Sequence, residues 1–90
     1  MKIIIIDCTK ISDKESFHTV MEEKLEFPSW YGKNLDALHD CLTEVFTATQ
    51  LHMKNWEILE KTLGLYTAAI RRAMTHAAEE NPCIEVFFEL

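Results

Sequence analysis

The 90-residue sequence has only two glycines and two prolines, and it contains no long hydrophobic run. So few glycines exclude a glycine-rich loop that would cradle phosphates. The apolar stretch at residues 3–6 is too short for a signal peptide or a membrane span. Basic residues are scarce as well, since nine lysines and arginines oppose fifteen acids for a net charge of −6. This balance argues against nucleic acid or an anionic membrane as the direct partner and favours a basic protein.

The three cysteines, Cys8, Cys41 and Cys83, are odd in number and lack the spacing of a zinc site. They indicate buried thiols in a reducing compartment, because a free cysteine in an apolar segment behaves as a small hydrophobic residue. We therefore expect a cytoplasmic protein. Apolar and charged contents of 48% and 27% are those of a globular chain. Its length predicts a single domain, residues 1–90, with one core.

The apolar patterning predicts an α/β fold. Residues 3–6 are β-branched throughout, which is typical of a strand buried on both faces, and we place this strand at the centre of the sheet. Strands separated by helices imply right-handed crossovers and a parallel sheet. Further strands are expected at 51–56 and 83–90. Helices are expected from Ser12 or Asp13 to about Leu25, from 35 to about 45, from about 56 to a stop at Gly64, and from 65 to about 80.

The most informative segment runs from residue 28 to residue 43 and begins with a loop, residues 28–33, that carries Trp30 and Tyr31. We call it the aromatic loop. Adjacent residues of an extended loop point in opposite directions, so one aromatic is expected to pack inward and the other to face out. Gly32 offers a turn with positive φ, and Asn34 is a suitable N-cap for the helix that follows.

This helix is amphipathic, with an apolar stripe that docks it on the core. Its other side, which we call the acidic face, consists of Asp36, His39, Asp40, Thr43 and Glu44. Carboxylates at i and i+4 repel each other, and no basic residue lies one turn from Asp40. The pattern fits two interpretations, a solvated polar surface or a contact made with a cationic partner.

Other chemistry has weaker support in the sequence. Asp36, His39 and Asp40 are residue types that bind metals or perform acid–base catalysis, but a metal site recruits ligands from a second element and a catalytic pair needs an apolar pocket. We therefore expect neither an enzyme nor a metal or cofactor site. His18 and His76 are expected at the surface, and His52 is expected as a tolerated polar residue on a strand.

The segment Trp-Tyr-Gly-Lys-Asn-Leu-Asp-Ala-Leu-His-Asp-Cys-Leu-Thr, residues 30–43, closely resembles the corresponding segment of the barstar family. The resemblance implies a three-stranded parallel sheet packed by about four helices. It also implies an inhibitor that plugs a ribonuclease active site with the motif helix and the preceding loop, and that catalyses nothing. Asp40 would mimic a substrate phosphate, Asp36 would lie nearer the rim, and Trp30 would touch the nuclease while Tyr31 supports it. The implied partner-binding residues are Trp30, Asn34, Asp36, His39, Asp40, Thr43 and Glu44.

The resemblance is incomplete at three positions. His39 stands where the family's best-known inhibitor has an aromatic, Val45 replaces an aromatic just past the motif, and Ala77 falls where an acidic contact of the last helix is expected. These departures imply the same binding mode with a different or more weakly bound target, another ribonuclease or a toxin nuclease. The chain is expected to be a monomer when free. The alternative is an acidic interaction module that binds another basic protein without inhibiting it.

Overall fold

The secondary structure is taken from a computed structural model that describes residues 1–90. In chain order the elements are β1 (Lys2–Asp7), a short 3-10 helix (Cys8–Lys10), α1 (Lys14–Leu25), α2 (Leu35–Thr43), β2 (Thr49–Lys54), α3 (Trp56–Leu63), α4 (Tyr66–Glu80) and β3 (Ile84–Phe88). All strands are parallel. The predicted α/β class, with three parallel strands and four α-helices, is confirmed.

The position of β1 in the sheet differs from the prediction. The strand order is β1-β2-β3, so β2 is central and β1 is an edge strand. The helices cover one face of the sheet, and along β1 only Ile4 and Ile6 enter the core while Ile3 and Ile5 stay 60% and 54% exposed. A run of four isoleucines therefore does not require burial on both faces. The central strand instead alternates, with Leu51 and Met53 buried and polar residues between them.

The core lies between the covered face of the sheet and the helices. Register places Ile4 beside Leu51 and Ile6 beside Met53, so apolar side chains form continuous rows across the strands. Phe17 and Met21 of α1 and Leu38 and Leu42 of α2 are fully buried in the same core. The opposite, uncovered side carries Ile3, Ile5, Gln50, His52, Lys54, Glu85 and Phe87, and we call it the open face.

The helix ends follow the local chemistry of the sequence. Asp13 caps α1, since its carboxylate accepts a hydrogen bond of 2.7 Å from the Ser16 N–H. Gly64, with a φ of 58°, ends α3 as predicted. The second strand begins and ends two residues earlier than predicted. It ends early because Trp56 opens α3 and lies in the core, where its ring centroid is 4.6 Å from that of Phe88.

The last helix and the last strand each bury one face. In α4 the buried residues are Thr67, Ile70, Met74 and Ala77, whereas Arg71, Arg72 and His76 are exposed. In β3 the residues Ile84, Val86 and Phe88 share the covered side. No helix in the fold has the length and apolar character needed to cross a membrane.

Candidate functional site

The candidate site begins where the aromatic loop enters α2. The side-chain oxygen Oδ1 of Asn34 accepts a hydrogen bond of 2.8 Å from the Ala37 N–H, which confirms Asn34 as the N-cap. Its amide group donates to the Gly32 C=O at 3.3 Å. The positive φ lies at Lys33 (53°) and not at Gly32, so the turn prediction was one residue early. Gly32 is needed for space, since a Cβ there would lie 3.0 Å from the Asn34 amide nitrogen.

The fold brings the five residues of the acidic face onto one surface because α2 docks by its apolar stripe. Leu38, Cys41 and Leu42 are buried, and α2 packs against α4. On the opposite side Asp36, Asp40 and Glu44 are exposed, while His39 and Thr43 are half-buried. The predicted acidic face is thus a continuous surface of one helix.

The carboxylates of α2 have almost no partners within the protein. The Asp40 side chain is 70% exposed, and its only contact is with His39 Nδ1 at 3.5 Å. Asp36 forms no hydrogen bond or ion pair with any side chain. The Thr43 hydroxyl donates to the backbone C=O of Asp40 at 2.8 Å, so it is occupied within the helix. The surface therefore offers negative charge that no cation of the chain neutralises.

One acidic residue outside α2 joins this surface, and the sequence patterns did not identify it. His39 Nε2 lies 3.3 Å from the carboxylate of Glu80, at the end of α4. Ala77, where an acidic contact was expected by resemblance, is fully buried. Glu80 follows it by three residues, which places it about one helical turn further along the same helix. This spacing was the available signal.

The two aromatics of the loop divide as predicted. Trp30 is 64% exposed, whereas Tyr31 is only 5% exposed and belongs to the core. Phe27 packs beside Tyr31, with ring centroids 4.9 Å apart. Tyr31 therefore fixes the loop to the domain and leaves the Trp30 indole at the surface beside the start of α2.

His18, expected at the surface, is instead almost completely buried. Its Nδ1 lies 2.6 Å from the Tyr31 hydroxyl and its Nε2 lies 2.8 Å from the Tyr66 hydroxyl. Neutral imidazole satisfies both contacts, since one nitrogen donates while the other accepts. Burial lowers the pKa of His18, and the positive charge of Lys33 lowers it further. This bridge could not be predicted from local patterns because the tyrosines lie far from His18 in sequence, 13 and 48 residues away.

The site contains neither a cluster of metal ligands nor a reactive thiol. No group of three or more histidine, cysteine or acidic side chains lies close enough to hold a metal ion. All three cysteines are free; Cys8 and Cys41 are buried and Cys83 is half-buried. Burial raises the pKa of Cys41, and the negative charges of Glu44 and Asp40 raise it further, so its thiol stays protonated.

Comparison with known proteins adds two findings. A family model described as "Barstar (barnase inhibitor)" matches residues 1–89. A relative from Bacillus subtilis (strain 168), named "Putative ribonuclease inhibitor YrdF", is 41% identical over 81 residues, which cover 89% of this chain and 89% of the relative. Both similarities cover most of the chain and so extend well beyond the motif at residues 30–43.

Proposed function

This chain belongs to the barstar family, and from that premise we propose that it is a protein inhibitor of a basic ribonuclease or toxin nuclease, which it blocks with the acidic face of α2 and the aromatic loop. The family match supports a ribonuclease-inhibitor role in general. The helix, the residues and the mode of binding are our proposal.

The observation that carries the proposal is the state of Asp40. Its side chain is 70% exposed and approaches no cation closer than His39. Repulsion between Asp36 and Asp40 costs an isolated helix a few tenths of a kcal/mol, and no contact inside the fold compensates for it. The helix dipole favours Asp36 in the first turn, whereas Asp40 lies deeper and gains nothing from it. Two carboxylates held in fixed register, with Asp40 unneeded for folding, support a role in binding a cationic surface.

The proposed mechanism is charge mimicry. A ribonuclease active site must stabilise the negative charge of the scissile phosphate, and arginine, lysine and histidine side chains do this. A carboxylate accepts the same forked hydrogen bonds from arginine as a phosphate does. Asp40 takes the phosphate position, Asp36 engages a cation nearer the rim, and both are delivered by one rigid helix.

The surroundings of α2 support the contact in different ways. Trp30 supplies a large exposed ring at the edge, while Tyr31 and His18 hold the loop that carries it. Asn34 lines the same edge, although its side chain is engaged in the N-cap. Glu44 and His39 extend the surface toward Glu80, so the partner meets an acidic ridge. Because exposed charge steers association, this ridge speeds encounter with a basic enzyme.

We further propose that the chain acts as a monomer in a compartment that keeps its three cysteines reduced, since no disulfide is present. The departures at His39, Val45 and Ala77 favour a target different from that of the family's best-known member. They also leave one rival function, an acidic module that binds a basic protein without inhibiting it.

RNA cleavage by a panel of basic secreted and toxin ribonucleases, measured with and without the chain, tests the proposal. At least one enzyme should lose activity at a stoichiometric amount of inhibitor, and added RNA should compete. Asp40→Asn, which keeps the shape of the side chain and removes its charge, should inhibit far less. Binding to an enzyme that still cleaves RNA would favour the non-inhibitory module. Full inhibition by a folded Asp40→Asn variant would refute charge mimicry.

A further inference from the structure

The C-terminal end of α2 has an unfavourable distribution of charge. The helix dipole places partial negative charge at this end, where cations are stabilising. The last turn of α2 contains no basic residue, Glu44 is the C-cap, and Asp40 lies one turn earlier. A helix of nine residues is also too short to be stable by itself. Something outside α2 must therefore hold the half of the helix that carries Asp40.

Asn81 makes these contacts. It is the C-cap of α4 and is only 7% exposed. Its side-chain amide group donates to the C=O of Leu42 at 2.9 Å, of Val45 at 2.8 Å and, more weakly, of Thr43 at 3.3 Å. Its side-chain oxygen accepts from the Cys83 N–H at 2.9 Å. The buried Asn81 amide thus links the C-terminal end of α2 to the junction of α4 and β3, and both its nitrogen and its oxygen are hydrogen-bonded.

The chemistry of this clamp suits an acidic helix. The carbonyls at a helix end need donors, and a lysine or arginine supplying them would also neutralise the nearby carboxylates. An amide donates without carrying charge, so Asp40 and Glu44 keep their full negative potential. The contact between Glu80 and His39 comes from the same end of α4, so this junction meets α2 on two sides.

We infer that Asn81 is a positioning residue for inhibition: it preorganises the C-terminal half of α2, which carries Asp40, Thr43 and Glu44, without contacting the nuclease. The inference rests on the proposed function. A binding surface that is held rigid before contact loses less conformational freedom on association, and losing that rigidity appears mainly as faster dissociation.

The test compares Asn81→Asp with the parent and with Thr67→Ala as a matched control. Asn81→Asp keeps the acceptor for Cys83, removes both N–H donors and adds negative charge at the end of α2. Thr67 also donates to a backbone carbonyl, that of Leu59 at 3.2 Å, but at the opposite end of α4. Both variants should lower the melting temperature. Asn81→Ala, which adds no charge, takes the place of Asn81→Asp if the latter does not fold.

Two readouts separate positioning from stability alone. Hydrogen exchange of the amides of residues 40–45 should accelerate in Asn81→Asp and stay at the parent level in Thr67→Ala. Dissociation from the ribonuclease that the parent inhibits should become about tenfold faster in Asn81→Asp alone, with association within about twofold of the parent. Equal dissociation rates for Asn81→Asp and the parent, or equal losses in the two variants, would overturn the inference. A parent chain that binds no ribonuclease would refute the proposed function instead, and unchanged exchange at 40–45 would refute the clamp independently.

Discussion

Carboxylates near the open face of the sheet have partners from the same chain, whereas those of α2 do not. Glu89 receives hydrogen bonds from Lys54 and His52, each at 2.5 Å. Asp7 accepts from the Thr9 hydroxyl and from Asn55. The pKa of Glu89 is lowered by Lys54 first and His52 second, and that of Asp7 is lowered chiefly by Thr9. Asp36 has no such partner, and Asp40 has only His39 at 3.5 Å.

The difference separates charge that serves the fold from charge left for a partner. Near the open face, each hydrogen bond to Glu89 or Asp7 favours the ionised form in the folded state and so contributes to stability. On α2 the ionised carboxylates repel each other. The helix dipole favours Asp36 in the first turn, but Asp40 lies deeper in the helix and gains no such stabilisation. Variants of the two surfaces should therefore change different measured quantities.

The largest effect is expected from Asp40→Ala, which should weaken nuclease binding by several kcal/mol. This is the scale for removing one partner of a desolvated charge pair, for which the barnase–barstar complex is itself a reference case. The melting temperature should be unchanged or slightly higher, because repulsion with Asp36 is removed. Titration calorimetry with the nuclease measures the binding free energy, and thermal melts measure the stability, of the parent and of Asp40→Ala.

Glu89→Gln is the matched control for this comparison. It should lower the melting temperature at neutral pH, since Lys54 and His52 lose an ionised acceptor, and it should leave nuclease affinity unchanged. A loss of binding in Glu89→Gln, or a loss of stability in Asp40→Ala equal to its loss of binding, would contradict the division between the two surfaces.

The neighbouring aromatics of the loop should show the same division at a smaller scale. Trp30→Ala should cost about 2 kcal/mol of binding and little stability, as for an exposed aromatic that is buried on association. Tyr31→Phe should instead cost about 1–3 kcal/mol of stability, because His18 Nδ1 loses its buried partner. Denaturant unfolding measures the stability of both variants, and calorimetry measures their nuclease affinity. A Trp30→Ala variant that binds like the parent would exclude Trp30 from the contact.

Acid should destabilise the support of the loop before it affects the paired carboxylates. The pKa of His18 is lowered in the folded state, so the unfolded chain binds a proton more readily. Stability is therefore fully present above about pH 6.5 and falls as the pH drops from there toward the lowered pKa. Loss from Glu89 begins only below its ordinary value of 4.5. Unfolding free energies measured between pH 8 and pH 5 should decline in the parent, and the decline should be shallower in His18→Gln. Equal slopes would assign it to the other histidines.

The smallest effect concerns the rate of encounter. Association with a basic ribonuclease should slow several-fold as salt rises from about 0.05 to 0.5 M, since charges more than about 10 Å apart are screened at 0.1 M. Dissociation should change much less, and Glu89→Gln should show the salt dependence of the parent. An association rate that does not change with salt would mean that the acidic face does not steer the partner.

The sequence predicted the helices and the acidic face because those features depend on local spacing. The N-cap at Asn34, the apolar stripe of α2 and the stop at Gly64 each follow from a few neighbouring residues. Two features that depend on distant contacts were missed, although the parallel pairing of the strands was not. His18 is buried with both ring nitrogens beside tyrosine hydroxyls, and β1 lies at the edge because β2 pairs with both other strands.

The candidate site follows the same rule. Its residues on one helix were predictable, whereas the contacts that join α2 to α4 were not. Glu80 and Asn81 are consecutive, polar and at a helix end, where such residues are usually solvated. Only the packing of α4 against α2 brings one of them to His39 and the other to the carbonyls of Leu42 and Val45.

The exposed edge of β1 has a consequence for the growing chain. The Lys2 N–H bonds to the Ala48 C=O, and backbone groups alternate sides along a strand, so those of Ile3 and Ile5 face away from β2. Four consecutive isoleucines leave the ribosome well before Thr49, where the strand that pairs with them begins. During that interval the segment can pair with another copy of itself, since an apolar, uncharged strand is a template for aggregation. Protection of the isoleucine run during synthesis therefore depends on how soon residues 49–54 become available to pair with it.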